Sequence, residues 1–360
     1  MSPPELPDFP WDSLAGQKAR ASEHPGGLAD LSVGTPVDPV PAPIREALAS
    51  VAELPGYPAT HGTPELRDTA AAALLRRHGV SVRPEAVLPT IGSKELVAWL
   101  PRLLGLGPGD LVVIPELAYP TYEVGALLAG AGIRRADGLT ALGPERPALL
   151  WLNSPANPTG RVLGVEHLRK VVEWARERGT VVVSDECYLD LGWEAEPVSL
   201  LHPEVHGGDL AGLLAVHSLS KSANLAGYRA GFVTGDPALV ATLLGVRKHA
   251  GMIVPRPVQQ AMTAALAADD LVARQRERYA ARRAVLRPAL ERAGFRIDHS
   301  DAGLYLWATR EEPALATVDW LADRGILVAP GTFYGPAGAR HVRIALTATD
   351  ERIQAAAARL

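Results

Sequence analysis

One cysteine in 360 residues, Cys187, leaves no internal disulfide and no cysteine-built metal site. It reads as a small filler residue near a strand end. No apolar run approaches the roughly 20 residues that a bilayer-spanning helix needs. The opening MSPPELPDFP has neither the basic nor the apolar region of a secretory signal, so the expected setting is the cytoplasm, with no membrane partner. Basic excess is absent as well: a formal net charge of -4 argues against nucleic acid, and no helix-turn-helix segment or basic extension is visible. Lysine is the scarcest charged residue. Lys18, Lys94, Lys170, Lys221 and Lys248 are the only lysines among 36 basic side chains, so a lysine set among polar residues is not compositional background.

The remainder has the make-up of a soluble globular protein, 47% hydrophobic and 21% charged, and its length suggests about two domains. Residues 1–40, rich in Pro and Gly, read as an N-terminal arm plus a strand that completes part of a small domain. Over 41–245, apolar runs alternate with helical patterns: LVVIP (111–115), ALLWL (148–152), TVVVS (180–184), LLAVH (213–217) and AGFVT (230–234). Each run is continuous, as strands buried on both faces are. Helix starts stand at Thr63-Pro64-Glu65 and at Ser93 before KELVAWLPRLL. The pattern predicts an α/β fold with a mostly parallel sheet in a large domain. Over 246–360 it predicts one long Ala- and Arg-rich interdomain helix from Pro257 to about 293. Strand-like GLYLWAT, a helix over 318–325, ILVAP and VRIAL then form a smaller α+β domain.

Chemistry concentrates in residues 218–229, SLSKSANLAGYR. An amine at Lys221 can form a Schiff base with an aldehyde, while Ser218, Ser220 and the planar fork of Arg229 can hold a phosphate. A phosphorylated aldehyde held this way describes pyridoxal 5'-phosphate. A polar loop with a surface lysine is the competing account of this stretch alone. Ligands of open α/β sheets sit at the carboxyl ends of strands, which singles out the residues after each apolar run. Asp185, after TVVVS, would keep a pyridine nitrogen protonated, and Tyr188 would donate to the cofactor's phenolic oxygen. A helix cap and a core tyrosine would also explain that pair.

Asn157, in NSPANPTG, stands in a stiff turn that can aim it at the same oxygen, or in an ordinary proline-glycine turn. Gly92, Ser93 and Lys94 offer backbone donors at a helix start, an anion site or merely a cap. Tyr119 is set to stack on the cofactor face or to pack at the surface. Arg343, in the otherwise apolar HVRIAL, needs a carboxylate, either from substrate or from an internal acid. Gly34 permits a close backbone approach to that same carboxylate.

In this order LSVGTP, GYPATHGTPELR, GSKEL, PELAYPTY, NSPANPTG, SDECY, SLSKSANLAGYRAG, APGTFYG and HVRIAL resemble the class I/II aminotransferases of PLP fold type I, over nearly the whole chain. That resemblance implies a seven-stranded, mostly parallel sheet and pyridoxal 5'-phosphate as cofactor. It implies Lys221 as the Schiff-base lysine and Asp185 as the pyridinium partner, with Tyr188 and Asn157 on the phenolic oxygen. Ser218, Ser220, Arg229, Ser93 and Lys94 would hold the phosphate, Tyr119 would stack, and Arg343 with Gly34 and Asn157 would take the substrate carboxylate. Tyr57 would reach the phosphate of a neighbouring subunit, implying a homodimer with shared active sites that acts on amino acids and 2-oxo acids.

LPDFPWDSLA, PELAYPTYEVGALLAGAG and VRKHAGMIVPRPVQQAM look closest to the N-succinyldiaminopimelate aminotransferases of lysine and diaminopimelate biosynthesis. Lys248, His249 and Arg256 are candidates for reading a distal substrate carboxylate. The alternatives are an aspartate or aromatic aminotransferase and a PLP-dependent carbon-sulfur lyase. The lysine loop departs from many relatives in having Ala223 and Asn224 where an aromatic is usual.

Overall fold

The computed structural model describes residues 5–360. The N-terminal segment holds more than the expected arm and strand: helical turns at Pro10–Leu14 and Ala15–Ser22 precede β1 (Ala29–Asp30), which pairs in parallel with β11 (Ile326–Leu327). Its apolar anchors are few, Leu14 and Ala21 being buried there, so sequence periodicity left the helices unmarked.

The apolar runs form the expected seven-stranded sheet: β2 (Val87–Ile91), β3 (Leu111–Ile114), β4 (Gly132–Arg135), β5 (Leu149–Asn153), β6 (Val181–Asp185), β7 (Leu213–Ser218) and β8 (Ala230–Gly235), in the order β2-β8-β7-β6-β5-β3-β4. All neighbours are parallel except β8, which runs antiparallel to both β2 and β7. Helices cover both faces, so β5, β7 and β8 are buried at every position and read as unbroken apolar segments. Edge strand β4 escaped notice because its sequence, GIRR, is half exposed; charge on an edge blocks further strand addition.

The expected single helix after Pro257 is two, Arg256–Ala267 and Asp269–Arg292, separated at Ala268, where the backbone leaves helical geometry (φ -107°, ψ 80°). The charged face of the second is not merely solvated. Arg282, 3% exposed, grips Asp38 through Nη2 at 2.6 Å and Asp350 through Nε at 2.7 Å, joining three separate chain segments.

Beyond it, β9 (Arg296–Ile297), β10 (Tyr305–Thr309), β12 (Ala329–Pro330) and β13 (His341–Ala345) form an antiparallel sheet ordered β12-β13-β10-β9. The expected helix over 318–325 lies at Ala314–Ala322. Among the described residues no helix is long and apolar enough to cross a membrane.

Candidate active site

The carboxyl ends of β2, β5, β6 and β7 share one edge of the large sheet. Antiparallel β8 begins at that same edge, which brings Arg229 beside them. A cavity of about 390 Å³ opens there, lined by Lys221, Asp185, Tyr188, Asn157, Ser93, Lys94, Tyr119, Ser218, Ser220, Arg229, Gly34 and Arg343, all expected from sequence. Tyr57 is 99% exposed, outside the pocket. Of the candidates for a distal carboxylate reader, Lys248 and His249 are exposed on the last turn of the helix Pro237–Ala250, Arg256 begins the next helix, and none of the three lines the pocket within this chain.

At the pocket floor Asp185 is buried. Its Oδ2 accepts from the Tyr122 hydroxyl at 2.8 Å and its Oδ1 from the Cys187 backbone N–H at 3.2 Å. Burial raises the Asp185 pKa, and these donors oppose the shift. Tyr122 stacks on Trp151 with ring centroids 4.8 Å apart and meets Tyr119 edge-on at 5.8 Å. Burial drives the Tyr119 phenol up to about 12, so it stays protonated. The backbone of Asn157 is tied down by Asn153, whose Oδ1 accepts from the Asn157 N–H at 2.7 Å.

At one end stand two cations with no carboxylate between them. Arg229 adopts a left-handed conformation (φ 56°), and its guanidinium fills the space where Gly92 has no side chain: a Cβ at Gly92 would overlap Nη2. Lys94 is near enough that burial and the Arg229 charge lower its pKa. The helix Gly92–Leu103 has no side-chain cap, so of the two alternatives for its Gly-Ser start the plain cap is not formed and its first N–H groups remain open donors. Ser218 Oγ accepts from the Ser220 N–H at 3.2 Å, and both serines line the pocket.

Arg343 occupies the opposite end, 2% exposed on β13. Its Nη1 donates to Asn157 Oδ1 at 3.0 Å and its Nη2 to the Ser32 carbonyl at 2.6 Å; Nε is buried without a partner, and among the described residues no carboxylate pairs with it. The internal acid that the sequence left open is therefore not there. The guanidinium lies 3.9 Å over the Tyr305 ring, and Tyr305 shares a 3.0 Å hydroxyl contact with Tyr188. Glycine at 34 is required, because a Cβ there would overlap Tyr305. Between the two ends, Lys221 Nζ donates to the Gly34 carbonyl, and burial lowers its pKa.

Sequence reasoning missed Tyr122, Asn153, Tyr305, Phe9 and Trp11. Tyr122 stood in PELAYPTY beside the chosen Tyr119. Tyr305 could have been found by strand parity, since β10 places it diagonally from Arg343 across a register that pairs Trp307 with Arg343.

Behind the pocket, Glu186 and His217 face each other with Oε2 and Nε2 3.9 Å apart, both atoms buried and without hydrogen-bond partners. Burial drives Glu186 up to about 7 and His217 down to about 3. The carboxyl therefore imposes no penalty below its ordinary value near 4.5, and folding loses stability as pH rises through about 7, where the buried group must ionise. Glu186→Gln, having no proton to lose, is expected to flatten that slope by on the order of 1–3 kcal/mol between about pH 5 and about pH 8. Urea midpoints at the two pH values check it; identical slopes for parent and variant would sink it.

The pocket thus offers an anion cradle, a buried amine, a carboxylate beneath a flat aromatic-lined slot and an unpaired arginine. Those features fit pyridoxal 5'-phosphate. The space that Gly92 leaves for Arg229 and the orphaned Nε of Arg343 are each explained by an anion from outside the chain.

Comparison with known proteins agrees with the geometry. Residues 27–360 match the family described as aminotransferase class I and II. The chain is 70% identical over 99% of its length, and 85% of the relative's, to a probable aminotransferase of Mycobacterium tuberculosis. It is 62% identical to the 4-dedimethylamino-4-oxo-anhydrotetracycline transaminase OxyQ of Streptomyces rimosus, over 99% of each chain. A solved structure of a probable N-succinyldiaminopimelate aminotransferase from Thermus thermophilus superposes with a TM-score of 0.87 at 32% identity, covering 98% of this chain and 99% of that one. By its sequence, its fold and the pocket at the strand ends, this chain belongs to the class I and II aminotransferases, which are pyridoxal 5'-phosphate enzymes.

Proposed function

We propose that this aminotransferase exchanges an amino group between glutamate and N-succinyl-2-amino-6-oxopimelate, as a homodimer with shared active sites. The observation that carries a carboxylate substrate is Arg343, a buried guanidinium with one nitrogen unpartnered and no acid beside it. An unpaired buried charge costs several kcal/mol, which a substrate carboxylate would offset. Both proposed substrates also carry a distal carboxylate, for which the pocket is cationic beyond Arg343, with Lys94 and Arg229 in its lining. Likeness to the Thermus protein supports the narrow specificity. Tyr57 at 99% exposure, with Leu54 at 54% near it, supports burial of that loop against a second subunit.

When bound, pyridoxal 5'-phosphate supplies an aldehyde carbon for amino groups and a ring that withdraws the electron pair left at the substrate Cα. In this reading Lys221 Nζ is the base that takes the proton from Cα and delivers it to the acceptor carbon. Asp185 holds a positive charge on the ring nitrogen, with Tyr122 steadying the carboxylate. Tyr188 and Asn157 direct donors at the phenolic oxygen, and Tyr119 covers one face of the slot. Ser218, Ser220, Arg229 and the Ser93-Lys94 backbone hold the phosphate. Gly34 and Asn157 accompany Arg343 at the substrate carboxylate.

Gly92→Ala tests the phosphate corner. The new methyl group would push Arg229 away and meet an unfavourable left-handed backbone (φ 70°). The expected result is a Kd for the cofactor raised by about tenfold or more, since one charge-assisted contact of about 1.5–3 kcal/mol is lost. Fluorescence titration of the cofactor-free protein measures it, and an unchanged Kd would remove Arg229 from the cradle.

A second reading has an observation in its favour. Phe9 and Trp11 line the pocket mouth, with Lys94 Nζ 5.5 Å from the Phe9 ring centroid, a wall suited to a bulky or cyclic substrate like the one named for OxyQ. A half-reaction screen decides. The coloured protein is mixed with single amino donors, and bleaching of its cofactor absorbance is timed. Fast bleaching by glutamate and N-succinyl-diaminopimelate is expected. Inertness of both, with rapid reaction of aromatic or cyclic amines, would replace the first reading with the second.

A further inference from the structure

Away from the catalytic pocket, a separate cleft of about 260 Å³ lies behind the lysine loop, its floor formed by Ser222, Ala223 and Asn224 and its rim by Arg45, Arg274 and Arg278. No Asp or Glu lines it. Arg274 is paired with Asp270 at 2.5 Å. Arg278 lies 4.0 Å from Asp38, but that carboxylate is already held by Arg282 at 2.6 Å and 2.9 Å, so Arg278 has no acid of its own. Arg45 has no ion pair among the described residues. The rim therefore carries positive charge that the chain leaves unbalanced.

The floor carries two polar atoms that are equally unanswered. Ser222 is 3% and Asn224 8% exposed, and both Ser222 Oγ and Asn224 Oδ1 are buried without a hydrogen-bond partner. The orientation of the Asn224 amide follows from a chain of donors. The Asp38 carboxylate can only accept, so Gln275 turns its NH2 toward it (2.8 Å) and presents Oε1 to Asn224. Asn224 must then donate with its own NH2 (2.9 Å), which leaves Oδ1 as a bare acceptor. A buried acceptor without a donor costs about 1–3 kcal/mol. Beside it Val40, Pro41 and Leu271 supply an apolar wall.

From this arrangement we propose that the cleft binds a free amino acid with an aliphatic side chain. The carboxylate meets Arg45 and Arg278, the ammonium donates to Asn224 Oδ1 and Ser222 Oγ, and the side chain lies on the apolar wall. The volume suits a small metabolite, being below the roughly 300–1,000 Å³ of pockets for drug-sized ligands. Ser222 follows Lys221 directly, and the Lys221 carbonyl is held by the Tyr279 hydroxyl at 3.1 Å, so the cleft adjoins the segment that carries the reactive amine.

The test is calorimetric titration of the cofactor-loaded protein carrying Arg343→Ala, which disables carboxylate binding in the catalytic pocket. The probes are L-leucine, L-valine, succinate and inorganic phosphate. At least one amino acid is expected to bind saturably in the millimolar range or tighter. Succinate and phosphate, which lack an ammonium for Asn224, should bind at least about tenfold more weakly. Adding Arg45→Gln and Arg278→Gln is expected to weaken the amino acid by about tenfold or more. In otherwise unaltered enzyme the same exposed pair should leave transamination within about twofold, which verifies the fold. Absence of saturable heat with both amino acids would overturn the proposal. So would phosphate or succinate binding as tightly as the amino acid, or undiminished binding in the arginine variants.

Discussion

Alanine at position 221 is expected to lower transamination by about ten-thousandfold or more while cofactor remains bound in stoichiometric amount. The ε-amine lies inside the pocket between the anion cradle and Arg343, and its burial lowers its pKa, which raises the fraction of neutral amine near neutrality. Removing it deletes the only lysine amine that reaches the Gly34 end of the slot, yet leaves Arg229, Ser218, Ser220 and the open helix start at Gly92 untouched. Arginine in its place should be as inactive as alanine, because a guanidinium with a pKa above about 12 cannot serve as a base. Steady-state rates, with cofactor content measured after gel filtration, check both variants. A rate within about tenfold of the parent for either would end the assignment of Lys221 as the base.

Asp185→Ala is expected to cost about a hundredfold to ten-thousandfold in kcat, because nothing else at the floor can hold positive charge on the ring nitrogen. The carboxylate is prepared for this at a cost: burial raises its pKa, and the Tyr122 hydroxyl and the Cys187 N–H pull it back. Tyr122→Phe separates the two influences. Loss of a hydrogen bond to a charged group, about 1.5–3 kcal/mol, should lower kcat by about tenfold or more. The Asp185 pKa would rise further, so the acidic limb of the rate profile should shift toward higher pH. Unaltered kinetics in Asp185→Ala would refute the pyridinium role. An unmoved acidic limb in Tyr122→Phe would leave the tyrosine a packing residue under Trp151.

Local sequence resolved those elements whose environment is uniform. β5, β6 and β7 are apolar at nearly every position because helices cover both faces, and their last residues, Asn153, Asp185 and Ser218, break the apolar pattern where the sheet ends at the pocket. Elements of mixed environment were harder. β4 is a charged edge, and the break at Ala268 falls between Ala267 and Asp269, with neither Gly nor Pro to mark it. The N-terminal helices at Pro10–Leu14 and Ala15–Ser22 bury too few apolar residues to show a period.

By itself, the chain's order of residues determined the class of chemistry: a rare lysine between hydroxyls and an arginine, an aspartate ending one strand, and an arginine in an apolar one. Only the tertiary structure decided who partners whom. Arg343 could have met an internal acid; folding instead surrounds it with Asn157, Tyr305 and the Ser32 carbonyl and leaves Nε free. Asp185 owes its second donor to Tyr122, 63 residues away. Gly92 matters because Arg229, from another part of the chain, fills the space its missing side chain leaves. Short-range pattern records what each segment buries, but desolvation, charge pairing and close approach act through space between groups far apart in the chain, and those settled the site.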